Sequence, residues 1–271
     1  MSTAAPSRPS VAVLGVGTMG EAVLAGVLRS GWAPDDVVAV VRRDERAAEL
    51  ADRYGVRSVP LAEGAARDVL VVAVKPQQLD DLLASAAPHV RPGALVLSVA
   101  AGVPMARLAA ALPEGVAVVR AMPNTPALVG AGTTAVSAGP GADEERMALV
   151  GELLQGTGDV VVLPEALQDA ATAVSGSGPA YVLLLLESLV EAGVHAGLPR
   201  ATSSRLATGT LAGTAALVRE SGEHPSLLRE RVTSPGGTTA AGLRRLEERG
   251  LRAALLDAVE AARDRARALG A

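Results

Sequence analysis

The sequence predicts an α/β fold in which a doubly wound, parallel sheet is followed by an all-helical C-terminal domain. Three observations support this. A glycine-rich turn, Gly15-Val16-Gly17-Thr18-Met19-Gly20, follows a short apolar run. Strand-like and helix-like patterns then alternate as far as Leu163. Beyond Pro164 there are only helical runs, separated by Gly and Pro.

Val11 to Leu14 is apolar throughout and meets the glycine turn directly, as a strand buried on both faces does. Glu21 to Leu28 has apolar residues at helical spacing, and Gly31 suits its end. The alternation continues with a strand over 37–41, a helix over 46–54 stopped by Gly55, and a strand over 69–74. A helix over 79–87 and a strand over 95–99 come next, then a helix over 105–112 and a strand over 116–120. A strand over 132–137, a helix over 143–154 and a strand over 160–163 complete the sheet. Helices follow over 165–174, 179–196, 200–221, 226–231, 239–250 and 251–269. The domain boundaries expected are a disordered tail over 1–10, a sheet domain over 11–164 and a helical domain over 165–271.

The chain has 271 residues, 49% of them hydrophobic but only 1% aromatic, so its core must be built from Ala, Val and Leu. A net charge of −4 argues against a nucleic-acid surface. There is no cysteine, which excludes disulfides, thiolate catalysis and Cys-ligated metals and fits a reducing, cytoplasmic setting. The N-terminal residues lack an apolar signal region, and the most apolar run, Tyr181 to Leu186, is too short to span a bilayer, so no membrane is expected. No metal site is expected either, and His89, His195 and His224 have no partner pattern. The broad apolar faces of the helical domain, with Gly209 and Gly213 four apart, predict a homodimer.

The G-x-G-x-x-G turn stands in the context its chemistry requires, after a strand and opening a helix. This makes the sheet domain Rossmann-like. Gly15 permits the tight turn, Gly17 lets a pyrophosphate approach, and Gly20 lets helix and strand pack. Thr18 and Met19 would add backbone N–H groups at the helix start. Arg42 and Arg43 stand at the end of the second strand, where an NAD binder usually has an acidic residue. They suit a 2′-phosphate and favour NADPH, with NADH possible because Asp44 follows directly. A solvated charged loop is the alternative reading. Ala73, Val74, Lys75 and Pro76 end the third strand, small residues including Ala100 and Ala101 follow the fourth, and Asn124 follows the fifth. All fall at the sheet edge where such folds bind ligands.

In the helical domain, Ser175-Gly176-Ser177-Gly178-Pro179 opens the longest apolar helix. Val232-Thr233-Ser234-Pro235-Gly236-Gly237-Thr238-Thr239 precedes another helix and suits a carboxylate or phosphate. Taken in order, these motifs resemble those of the pyrroline-5-carboxylate reductases. The two most specific are Ser-Gly-Ser-Gly-Pro-Ala-Tyr (175–181) and Val-Thr-Ser-Pro-Gly-Gly-Thr-Thr (232–239). The resemblance implies NAD(P)H-dependent reduction of a cyclic imine to proline, and a helical domain that interlocks with its neighbour in dimers, which often build decamers. It implies substrate contacts from Glu165, Ser234, Gly236, Gly237, Thr238 and Thr239, with Thr239 the catalytic position. Glu230 replaces the family's common Asp, and Ala62 stands where many members have an Asn.

Two other readings stay open at this stage. A 3-hydroxyacid dehydrogenase has a similar domain order, but its catalytic lysine would lie in the helical domain. Lys75 is the only lysine here and lies outside it. A nucleotide-sensing module without turnover is the third reading.

Overall fold

The computed structural model describes residues 8–270. The chain forms two compact units. One takes in the chain up to Ser177 together with the segment from Ala262; the other is Gly178–Ala261.

The first unit is built on an eight-stranded sheet. Its strands are β1 (Val11–Leu14), β2 (Val37–Val40), β3 (Arg57–Ser58), β4 (Val69–Val72), β5 (Leu95–Ser98), β6 (Ala117–Met122), β7 (Gly132–Ala138) and β8 (Gly158–Val162), in the order β3-β2-β1-β4-β5-β6-β7-β8. Helices α1 (Thr18–Arg29), α2 (Asp44–Tyr54), α3 (Leu61–Ala65), α4 (Leu79–Ala86), α5 (Met105–Ala110) and α6 (Glu144–Leu154) connect them. Strand alternation divides the core into two layers. Val11, Val13, Val69, Val71, Leu95 and Leu97 face one way, with Val23, Leu24 and Val27 of α1 and Val150, Leu153 and Leu154 of α6. Ala12, Leu14, Leu70, Val72 and Val96 face the other way, with Leu79 and Leu83 of α4 and Met105 and Leu108 of α5. The two layers account for the largely apolar strands β1, β4 and β5, since neither face of these strands meets water.

The sequence pattern missed three features here. The sheet is not all parallel, because β7 runs antiparallel to β6, with Arg120 opposite Ser137 and Met122 opposite Ala135. The connection 123–131 is too short for a crossover, which takes a dozen residues or more, so the chain has to turn back. Strand β3 and helix α3 also went unseen, being two and five residues long. Of the expected tail, residues 1–7 lie outside the described residues. Residues 8–10 are tied down. Arg8 donates to Ser30 O at 3.0 Å and stacks over Trp32, Trp32 Nε1 donates to Pro9 O at 3.1 Å, and Ser10 Oγ donates to Asp68 at 2.6 Å.

The two compact units divide after Ser177. Residues 165–177 form a short 3₁₀ turn, α7 (Gln168–Ala171) and a π-helical turn over Thr172–Gly176. Gln168 is fully buried and donates to Ser137 Oγ at 2.8 Å, so this stretch belongs to the sheet's core.

The second unit consists of α8 (Gly178–His195), α9 (Arg200–Ser221), α10 (Pro225–Arg231), α11 (Thr238–Glu248) and the first part of α12 (Leu251–Gly270). Helices α8 and α9 form a tight hairpin. Ser203 Oγ donates to Val190 O at 2.8 Å, and a Cβ on Gly193 would lie 2.1 Å from that hydroxyl. His224 caps α10 by accepting from Ser226 N. Among the described residues, α8 and α11 bury no side chain, and Leu184 is 64% and Leu256 72% exposed. Together Glu165–His195 gives 31 residues of helix long and apolar enough, by length and composition alone, to cross a membrane.

Gly26 on α1 tests the packing of the first unit. A Cβ there would stand 2.3 Å from Thr157 Cγ2 and 3.3 Å from Thr157 N, so backbone as well as side chain is in the way. Gly26→Ala is expected to lower stability by about 1–3 kcal/mol through overpacking, read as a lower urea midpoint with unchanged m-value.

Candidate active site

The turn after β1 is shaped by what its glycines lack. Gly15 has φ +87°, and a Cβ on it would lie 2.5 Å from Val74 Cγ1. A Cβ on Gly20 would lie 2.2 Å from Gly15 O, so α1 starts in direct contact with the turn it leaves. Gly17 differs: a Cβ there would meet nothing within 4 Å. The fold does not require glycine at 17, but a ligand approaching the backbone does. Helix α1 has no side-chain cap at Gly17, so its first N–H groups and positive dipole end point into this open space. Thr18 is exposed there, while Met19 packs its side chain on the α1 core and offers only backbone.

The turn opens onto a cleft of about 650 Å³. Gly15, Val16 and Gly17 form its floor, Val40 to Arg43 and Val59 to Leu61 one wall, and Val74, Gln78, Asp81, Leu82 and Ser85 the other. It lies where strand order reverses, because the chain steps from β1 to β2 and β3 and then returns to β4 on the other side of β1. This is the crevice where doubly wound folds bind nucleotides. Sequence reading missed Gln78, Asp81 and Ser85, which lie on a helix face with no motif of its own. Arg42 and Arg43 are exposed on the cleft and, among the described residues, their guanidinium groups form no hydrogen bond or ion pair. Asp44 starts α2 and does not line the cleft.

The turn is braced from behind. Arg46 donates to Val16 O at 3.2 Å and also pairs with Glu21. Arg53 and Tyr54 Oη bond the other Glu21 oxygen at 2.6 and 2.8 Å. Burial pushes the Glu21 carboxyl up, but the hydrogen bonds from Arg46 and Tyr54 and the charges of Arg46 and Arg53 outweigh it, holding the group below its ordinary 4.5.

The remaining strand ends meet at one edge, since Leu14 pairs in register with Val72, Val72 with Ser98, and Ser98 with Arg120. Ala73 and Val74 pack into the two core layers, and Pro76 opens a 3₁₀ turn. Lys75 is exposed, its amine has no partner among the described residues, and it lies outside the cleft lining. Ala100 is buried in the core and Ala101 is exposed at the loop tip, so a ligand there meets backbone and one methyl group.

Asn124 and Glu165 have duties that the sequence did not reveal. Asn124 is buried, accepts from Thr133 N at 2.9 Å and donates to Ser175 O at 3.0 Å. Its amide ties β7 and the π-helical turn together, leaving one N–H for a ligand. Glu165 Oε1 accepts from Met105 N at 2.7 Å and from Arg120 Nη1 at 3.3 Å.

In the helical unit, Gly237 N donates to Ser234 O at 3.0 Å, and Gly236 has φ +68°. Helix α11 begins at Thr238, one residue earlier than expected, with no side-chain cap at Gly237. Its first helical bond runs from Ala241 N to Gly237 O, so the N–H groups of Thr238, Thr239 and Ala240 have no carbonyl below them. Both threonine hydroxyls stand at this uncapped end, exposed at 238 and half-buried at 239.

Fold and site together define a dinucleotide-binding protein of the doubly wound α/β class. Comparison with known proteins narrows this. A family model described as pyrroline-5-carboxylate reductase dimerisation matches residues 165–269, and one described as NADP oxidoreductase, coenzyme F420-dependent, matches residues 10–102. A pyrroline-5-carboxylate reductase from Synechocystis is 45% identical over 95% of this chain and 97% of its own. The solved Coxiella burnetii pyrroline-5-carboxylate reductase superposes with a TM-score of 0.93 at 32% identity, covering 98% of this chain and 100% of that one. The Plasmodium falciparum pyrroline carboxylate reductase, solved with NADP bound, gives 0.87 at 29%, covering 97% and 99%. The chain belongs to the pyrroline-5-carboxylate reductase family.

Gly17 separates folding from binding. Gly17→Ala should leave the thermal midpoint essentially unchanged, because the methyl group meets no atom, yet weaken dinucleotide binding by about tenfold or more. Titrating the fluorescence of the reduced dinucleotide measures the second effect, and a thermal melt measures the first.

Proposed function

We propose that this chain reduces 1-pyrroline-5-carboxylate to L-proline, with NADPH preferred over NADH. The main structural support is the uncapped α1 N-terminus facing the open space at Gly17, in a chain that belongs to this family. The cleft fits a dinucleotide. The α1 N–H groups suit its pyrophosphate, and the apolar side chains of Val59, Pro60 and Leu61 on one wall and of Val74 and Leu82 on the other flank room for a base. The free guanidinium groups of Arg42 and Arg43 suit a 2′-phosphate, consistent with the NADP held by the Plasmodium relative.

Bound NADPH supplies the hydride that adds to the imine carbon. The chain's own residues bind and orient. The N–H groups of Thr238, Thr239 and Ala240, at the positive end of α11, hold the substrate carboxylate, and Ser234, Gly236 and Gly237 shape the loop before them. The Thr239 hydroxyl orients the ring nitrogen and relays a proton to it from solvent water, so that hydride and proton together give the neutral amine. A related cyclic imine with the same carboxylate would meet the same groups.

The helical unit pairs with a second copy. Fully burying a Leu or Val side chain is worth about 1.5–3 kcal/mol, so the exposed row Val182, Leu183, Leu184, Leu185 and Leu189 favours a protein partner. The dimerisation model spans this row. On this reading the apolar stretch 165–195 is covered by protein rather than lipid, in a cytoplasmic enzyme whose dimers build decamers.

Loss of absorbance from NADPH or NADH, with pyrroline-5-carboxylate as acceptor, tests the reading; dinucleotide binding without turnover would overturn it. Removing both arginines, Arg42→Ala with Arg43→Ala, should raise the NADPH KM by about ten- to a hundredfold and leave that for NADH within about threefold. Thr239→Ala is expected to raise the imine KM and lower kcat by about tenfold or more, and unchanged steady-state constants would remove it from the site.

A further inference from the structure

A polar band crosses the sheet where hydrophobic residues would serve packing as well. Ser98 on β5, Arg120 on β6 and Ser137 on β7 are register neighbours, and Arg120 is only 6% exposed. A guanidinium buried among Val and Ala needs partners, and a hydrophobic residue of similar size would avoid that cost. The partners here are the Glu165 carboxylate at 3.3 Å and that of Asp169 at 3.8 Å.

The same Glu165 oxygen takes the backbone N–H of Met105 at 2.7 Å. Met105 starts α5 and immediately follows the loop 99–104 that leaves β5. That loop is held at two further points. Its Ala100 N donates to Ser98 Oγ at 3.3 Å. Its middle residue, Gly102, lies under the end of α12, where a Cβ on Gly270 would come within 2.6 Å of Gly102 O. Only Ala101 projects freely, at the sheet edge where the other strand ends collect.

We infer that Arg120 and Glu165 are positioning residues for the dinucleotide. Arg120 fixes the Glu165 carboxylate, which fixes Met105 N and so sets the loop 99–104 against the nicotinamide half of the cofactor. Glu165 acts through this loop and not by touching the imine, which revises the role the family resemblance implied for it. The inference rests on the reductase reading above.

The test measures NADPH affinity by fluorescence titration, and steady-state constants for NADPH and the imine, in Glu165→Ala and Glu165→Gln. Glu165→Ala removes the acceptor and should weaken NADPH binding by about tenfold, with the imine KM within about twofold. Glu165→Gln keeps a carbonyl for Met105 N but loses the charge facing Arg120, so its loss should be intermediate, about threefold. If Glu165→Ala does not fold, the shift in Glu165→Gln decides. A raised imine KM with unchanged NADPH affinity would overturn the inference in favour of direct substrate contact, and so would no change in either variant. A wild-type protein that binds NADPH but does not oxidise it with the imine would instead defeat the functional reading, and the binding titrations would still test the brace.

Discussion

The close approach of α1 to the end of β1 is the constraint on which the site depends. With no Cβ on Gly15 or Gly20, the helix starts within van der Waals contact of the turn. Its free N–H groups therefore face the carboxyl edge of the sheet and not a loop of their own. Arg46 and Glu21 then hold the turn from behind, so the opening at Gly17 stays at one height relative to β2 and β4. The cleft walls follow from that placement, because the ends of those strands carry Arg42, Arg43 and Val74 to its rim.

Much of this was legible in the sequence because it lies in local pattern. Val11–Leu14 reads as a buried strand since both its faces are covered, and G-x-G-x-x-G reads as a turn since backbone geometry leaves few alternatives there. Arg42 and Arg43 could be placed because the strand before them ends predictably. What stayed hidden depends on contacts distant in sequence. The reversal of β7 follows from a connection too short to cross over. The Glu165 bond to Met105 spans sixty residues, and no spacing rule links the two. Asn124 looked like a ligand-binding amide because a loop amide is usually free, and only the fold shows it bridging Thr133 and Ser175.

The two units also differ in how they are held together. The first has two aliphatic layers that bury β1, β4 and β5 on both faces. The second has the α8–α9 hairpin and much exposed leucine, as expected of a unit completed by another copy. The turn from Thr172 to Gly176 is π-helical, with Ser177 N bonded to Thr172 O at 2.8 Å. An added residue in a helical turn costs stability, and such turns persist mostly where function needs them. Here the wide turn releases Ser175 O to the Asn124 amide.

The lone lysine has a practical use. Lys75 is exposed, its amine has no partner among the described residues, and it stands at the carboxyl edge of β4 as the only lysine in the sequence. An amine-selective acylating reagent therefore has a single side-chain target, a few residues from the cleft wall. A dye attached there provides a spectroscopic reporter beside the nucleotide crevice without any cysteine having to be engineered.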